Sequence, residues 1–76
     1  MIKILLFARL REMVGASITY DCLQCTVQEL VNYVEQQHPG ISLTETMVAI
    51  NEEFASNLDT VKSGDVVAFL PPVSGG

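Results

Sequence analysis

The sequence has no tryptophan, one histidine, four basic residues and no long uninterrupted apolar run. Each shortage removes a class of function. With only Lys3, Arg9, Arg11 and Lys62 against nine acids, the net charge is −5. So acidic a surface repels phosphate backbones and anionic lipid, which excludes nucleic acid and membrane surfaces and favours a basic protein partner. No run approaches the roughly 18 apolar residues of a membrane span. The start, Met1-Ile2-Lys3-Ile4-Leu5-Leu6-Phe7, lacks the basic region and cleavage site of a secretory signal and points to a cytoplasmic protein. His38 has no Ser or Cys arranged beside it as a nucleophile and suits a helix C-terminus, where partial positive charge is favourable. There is no Gly-rich phosphate loop. Cys22 and Cys25 form a C-x-x-C, but a metal would need two further ligands and only His38 is on offer, at the far end of a helix. A redox role would want the first Cys at a helix N-terminus in a thioredoxin-like chain. The pair reads instead as two small residues preceding a helix, and no metal site is expected.

What is present is apolar material. Hydrophobic residues make up 49% of 76 residues and charged ones 17%, which excludes a disordered acidic chain. A chain of this size buries roughly 60% of its unfolded surface around one small core. Its stability is expected near 4–11 kcal/mol, from about 0.05–0.15 kcal/mol per residue. The apolar fraction is high for a free monomer, which points to surface reserved for a partner.

Ile2 to Ala8 is β-rich, with Ile2, Ile4 and Leu6 on one face and Lys3, Leu5 and Phe7 on the other. Arg9 to Val14 suits a short helical turn ended by Gly15, and Ser17 to Tyr20 a second strand hairpinned to the first. Thr26-Val27-Gln28-Glu29 is a capping box, in which Thr26 and Glu29 each satisfy a free backbone donor. Val27, Leu30, Val31 and Val34 follow at i, i+3, i+4 and i+7, the stripe of an amphipathic helix that His38-Pro39-Gly40 stops. Met47 to Ile50 predicts a third strand, Asn51-Glu52-Glu53 a turn, and Phe54 a short strand. The solvated Glu52 and Glu53 are not a catalytic pair. Lys62-Ser63-Gly64-Asp65 predicts another turn and Asp65 to Leu70 a central strand. The order is β-β-α-β-β-β with one main helix covering one sheet face, an α+β fold.

Two features remain. If Val67 and Phe69 face the core, Val66, Ala68 and Leu70 face outward beside Leu5 and Phe7, with Phe54 joining from the edge. An apolar sheet face of that kind suits docking. The other feature is the end of the chain. Pro71-Pro72 donates no backbone hydrogen bonds and ends the strand. Extended, the six residues from Pro71 reach roughly 20 Å at about 3.3 Å each. Gly75-Gly76 is the narrowest backbone available, able to enter a tunnel that side chains would block. Taken alone, such an end reads equally as a frayed terminus. Residues 1–70 are thus expected as the domain and 71–76 as a flexible tail.

Together, Phe7-Ala8-Arg9-Leu10-Arg11-Glu12 with Gly15, Ala49-Ile50-Asn51, Gly64-Asp65-Val66-Val67-Ala68-Phe69 and Pro71-Pro72-Val73-Ser74-Gly75-Gly76 resemble the small subunits of molybdopterin synthase, which are ubiquitin-like sulfur carriers. The resemblance spans the whole domain, and the C-x-x-C is not part of its pattern. It implies a β-grasp fold, a mixed sheet packed on one main helix with first and last strands side by side. It also implies a cycle in which an ATP-consuming adenylyltransferase, similar to ubiquitin-activating enzymes, adenylates the Gly76 carboxylate. A sulfur donor protein then displaces AMP to leave a covalent thiocarboxylate, and no cofactor is held permanently. The large catalytic subunit, in a heterotetramer, accepts the tail and passes sulfur to the cyclic pyranopterin precursor of the molybdopterin dithiolene. Gly76 with Gly75 would carry the chemistry. Phe7, Arg11, Phe54, Leu70, Pro71, Pro72, Val73 and Ser74 would contact the partners. A thiamine-pathway sulfur carrier, a ubiquitin-like protein modifier and a binding module with an inert tail are the competing readings.

Overall fold

Alternation along Ile2–Leu6 and Val66–Leu70 sets the architecture, because both strands put every second apolar residue on one side. A computed structural model describes residues 1–71. Its elements are β1 (Ile2–Leu6), α1 (Ala8–Val14), β2 (Ser17–Tyr20), β3 (Gln24–Thr26), α2 (Val27–Gln37), β4 (Met47–Ile50), β5 (Glu53–Ala55), β6 (Thr60–Lys62) and β7 (Val66–Leu70). Five strands form one mixed sheet in the order β2-β1-β7-β4-β5, and β3 with β6 forms a separate two-stranded ribbon. β1 and β7 lie parallel at the centre, Ile4 opposite Val67 and Leu6 opposite Phe69. β2 runs antiparallel to β1, and β4 antiparallel to β7. This is the expected α+β β-grasp arrangement.

α2 begins with the capping box that the sequence predicts: Glu29 N–H donates to Thr26 Oγ1 at 3.2 Å and Thr26 N–H to Glu29 Oε1 at 2.9 Å. Its stripe, Val27, Leu30, Val31 and Val34, is buried against Ile2, Ile4, Leu6, Val67 and Phe69. Burying each such side chain is worth about 1.5–3 kcal/mol. The core is therefore a one-sided sandwich, and the opposite sheet face is left uncovered.

Four local readings need correction. The first strand stops at Leu6, and Ala8 opens a seven-residue helix with φ +53°. β5 already starts at Glu53, so the turn before it is only Asn51-Glu52. Both residues have positive φ, 50° and 72°, the two-residue type I′ geometry that matches strand twist. β7 starts at Val66, one residue later than expected. Finally, the six-element order omits β3 and β6, three residues each. Strands that short carry no readable alternation, and their pairing joins Cys25 to Val61 across a long sequence gap.

Candidate functional site

The uncovered face is built by side-chain size along one cross-strand row. Leu5 stands opposite Ala68, Ala68 opposite Ala49, and Ala49 opposite Phe54. Two alanines in the middle and two large residues at the ends leave a hollow of about 560 Å³. Leu70 and Phe7 close it at the end where the chain leaves the sheet. Phe54 is 71% exposed and Phe7 38% exposed. Large apolar residues left in solvent around a concave, mostly apolar floor are the anatomy of an interface core.

A second hollow, about 440 Å³, lies on the other side of Phe7. Leu10 and Met13 of α1, Ile41 and Pro71 supply its apolar lining, and Arg9 and Glu45 stand at its rim. Ala8 sits at its lip in the left-handed region, a conformation that costs a residue with a Cβ about 1–2 kcal/mol.

The end of β4 is tied to the start of β7 by polar groups. Asn51 Oδ1 accepts from Val66 N–H and Asn51 Nδ2 donates to Asp65 Oδ1, each at 3.0 Å. Asp65 Oδ2 accepts from Lys62 N–H at 2.9 Å across the turn that Gly64 makes at φ +97°. The Lys62 backbone donor, followed by the Asn51 amide, holds the Asp65 carboxyl below its ordinary value. This clamp is structural, since its donors and acceptors satisfy one another.

Phe7, Phe54 and Leu70 thus gather around the first hollow, and Phe7 with Pro71 at the second. Arg11 lines neither; it is exposed on α1. Pro72, Val73, Ser74, Gly75 and Gly76 lie outside the described residues. Leu10, Met13 and Ile41 are not among the site residues that the sequence points to. The i, i+3 spacing of Leu10 and Met13 was a usable signal, whereas Ile41 offered none.

The remaining side chains do not assemble chemistry. Among the described residues no group of three His, Cys, Asp or Glu is placed to hold a metal. Cys22 and Cys25 are both free thiols, Cys22 half-buried and donating to the Gln24 carbonyl at 3.2 Å. Cys25 is a core residue of β3, and burial, reinforced by the neighbouring Cys22, pushes its thiol up to about 11. Such a thiol is protonated at neutral pH and inert. His38 caps α2, its N–H donating to the Val34 carbonyl at 3.0 Å. Glu52 lines the first hollow and Glu53 is exposed on β5. No helix among the described residues is long and apolar enough to cross a membrane.

The model of the ThiS family matches residues 4–76. The molybdopterin synthase sulfur carrier subunit of Escherichia coli is 36% identical, with all of both chains covered. Small archaeal modifier protein 1 of Haloferax volcanii superposes with a TM-score of 0.75 at 26% identity, over 95% of this chain and 97% of its own. A chain from the complex of subunits 1 and 2 of the molybdopterin-converting factor of Helicobacter pylori superposes with a TM-score of 0.65 at 26% identity, over 99% of this chain and 97% of its own.

Proposed function

We propose a function from one established premise: this chain belongs to the ThiS family. It is the sulfur carrier subunit of a molybdopterin synthase. The observation that carries this is the end-to-end match to the Escherichia coli carrier subunit, which runs through the Gly75-Gly76 end. The uncovered apolar face supports the reading as a docking surface for the large subunit, in line with the two-subunit complex of the Helicobacter pylori relative.

The chemistry resides in one group. A carboxylate resists nucleophiles because its leaving group would be oxide. An ATP-dependent adenylyltransferase joins the Gly76 carboxylate to AMP and releases pyrophosphate, giving a mixed anhydride. A sulfur donor protein delivers a sulfide equivalent to the acyl carbon, the C–O bond to AMP breaks, and Gly76 is left as a thiocarboxylate. Its sulfur is soft, anionic and strongly nucleophilic, and needs no side chain of the carrier to hold it. The carrier therefore acts enzymatically only within the synthase. There the large subunit supplies acid–base and anion-binding groups. The thiocarboxylate sulfur bonds to the cyclic pyranopterin precursor as an oxygen substituent leaves. Water cleaves the acyl C–S bond to return the Gly76 carboxylate, and a second loaded carrier supplies the second sulfur of the dithiolene. Holding no permanent cofactor, the carrier works in the cytoplasm beside these partners. Phe7, Phe54 and Leu70 seat the carrier. Arg11 contacts a partner away from both hollows, and Pro71 to Gly75 pass through the partner's entrance.

Intact mass of the protein, after incubation with the adenylyltransferase, ATP and a sulfur source, tests the cycle. One oxygen exchanged for sulfur, and no exchange once Gly76 is deleted, is the expected result. An unchanged mass under conditions where the adenylyltransferase is active defeats it. Transfer is then tested by mixing the thiocarboxylated protein with the large subunit and precursor and following dithiolene formation. The likeness to small archaeal modifier protein 1 favours a second reading, in which activated Gly76 forms amide bonds with lysines of other proteins. Conjugates of higher mass in place of the thiocarboxylate would select it.

A further inference from the structure

Cys22 and Cys25 line neither hollow, yet the fold brings their side chains together. Cys25 belongs to β3, stands opposite Val61 of β6 and is 6% exposed in the core. Cys22 lies just before β3, half-buried against the same core beside Tyr20 and Tyr33. Its thiol donates to the Gln24 carbonyl at 3.2 Å, which folds the side chain over the start of β3. The Cys22 side chain also hydrogen-bonds with those of Cys25 and Tyr20. Tyr20 is held in turn by stacking on Tyr33 of α2, ring centroids 4.1 Å apart.

The two thiols differ in access and share a contact. Cys22 is open to dissolved reagents, whereas burial screens Cys25 from them. Burial does not screen Cys25 from the Cys22 sulfur, which its own side chain already meets. The segment between them is fixed, because Ser63 N–H donates to the Leu23 carbonyl at 2.9 Å and Gln24 pairs with Lys62. The folded chain has therefore already met the entropy of bringing the two sulfurs together. An accessible thiol beside a screened partner is the arrangement in which a mixed disulfide, once formed, is resolved within the molecule.

We propose that Cys22 and Cys25 form a reversible dithiol–disulfide site, oxidised by a low-molecular-weight disulfide that Cys22 attacks first. The site is independent of the sulfur-carrier reading and uses neither hollow. Cys22, as its thiolate, bonds to one sulfur of the reagent; the reagent's S–S bond breaks and one thiolate leaves. The Cys25 thiol then gives its proton to that thiolate, and its sulfur bonds to the Cys22 sulfur. The mixed disulfide breaks and expels the second thiolate, which takes up the proton that Cys22 had released. Two protein thiols are oxidised to one disulfide, and one reagent disulfide is reduced to two thiols.

Incubation of the native chain with glutathione disulfide at mildly alkaline pH tests it, followed by alkylation of the remaining thiols and intact-mass and peptide mapping. The expected product is a folded monomer lighter by two hydrogens, with neither cysteine alkylated. Dithiothreitol should restore the starting mass, and circular dichroism should show the native fold in both states. Cys25→Ala is expected to stop at a glutathione adduct on Cys22. Cys22→Ser is expected to react at Cys25 at least tenfold more slowly than the native chain. A lasting Cys22 adduct on the native chain, a dimer linked through Cys22, an unchanged mass, or closure only in denaturant overturns the site. Reaction of Cys22→Ser at the native rate overturns Cys22 as the point of attack. Should Cys25→Ala not fold, the native chain and the half-buried Cys22→Ser decide.

Discussion

Ala49 and Ala68 stand directly opposite each other in the β4–β7 pair, with Phe54 beyond one and Leu5 beyond the other. Their small side chains make the floor of the sheet-face hollow, so its depth depends on two methyl groups rather than on any missing strand. Ala68→Phe fills that floor from a half-buried, outward position. Binding to the large subunit is expected to fall at least tenfold, about 1.4 kcal/mol. The urea midpoint is expected to change little, because the added ring lies on the solvent side. Calorimetry beside a denaturation curve measures both, and native affinity in Ala68→Phe would remove the hollow from the interface.

The type I′ turn separates two kinds of left-handed residue. Glu52 holds φ 72° and its side chain makes no hydrogen bond among the described residues, so Glu52→Gly relieves strain and is expected to stabilise by about 0.5–1 kcal/mol. Asn51 has φ 50° but also clamps Val66 and Asp65. Asn51→Gly is therefore expected to destabilise by about 1–2 kcal/mol, from the lost hydrogen bonds. Urea unfolding of the two variants should move in opposite directions.

Asp65 makes stability depend on acid. Its folded value lies below the ordinary 3.8, because the carboxylate accepts first from Lys62 N–H and then from the Asn51 amide. A depressed folded value means that this contribution is present in full above 3.8 and is lost as pH falls through the lower folded value. Asp65→Asn removes the titration. Its stability, followed by urea titration, should decline less steeply than that of the native chain as the solution is acidified below 3.8.

Cys22 and Cys25 should differ sharply in reactivity. Burial and the neighbouring thiol keep Cys25 protonated, raised to about 11, while Cys22 is half-buried. Iodoacetamide at mildly alkaline pH is expected to label Cys22 and spare Cys25 until denaturant is added. Peptide mass mapping reads this directly, and rapid labelling of Cys25 in the native protein would contradict its core position.

Much of the fold was legible locally. The Thr26–Glu29 capping box and the Val27/Leu30/Val31/Val34 stripe act within one helix, and each relation spans at most seven residues. The alternation of Ile2, Ile4 and Leu6 is equally local. β3 and β6 were not legible, because their stability comes from pairing with each other across a long sequence gap. α1 read only as a turn because its seven residues bury no side chain fully, and its first residue is the left-handed Ala8.

The sequence by itself determined the acidic charge, the single capped helix, the parity of the two central strands and the Pro-Pro…Gly-Gly ending. Those follow from composition and from relations between near neighbours. Only the tertiary structure decided that Leu5, Ala68, Ala49 and Phe54 form one row, and that Phe7 divides two hollows beside Pro71. Those relations join four strands, a helix and a loop far apart in the chain. The register of long-range pairing sets them, and no local pattern encodes it.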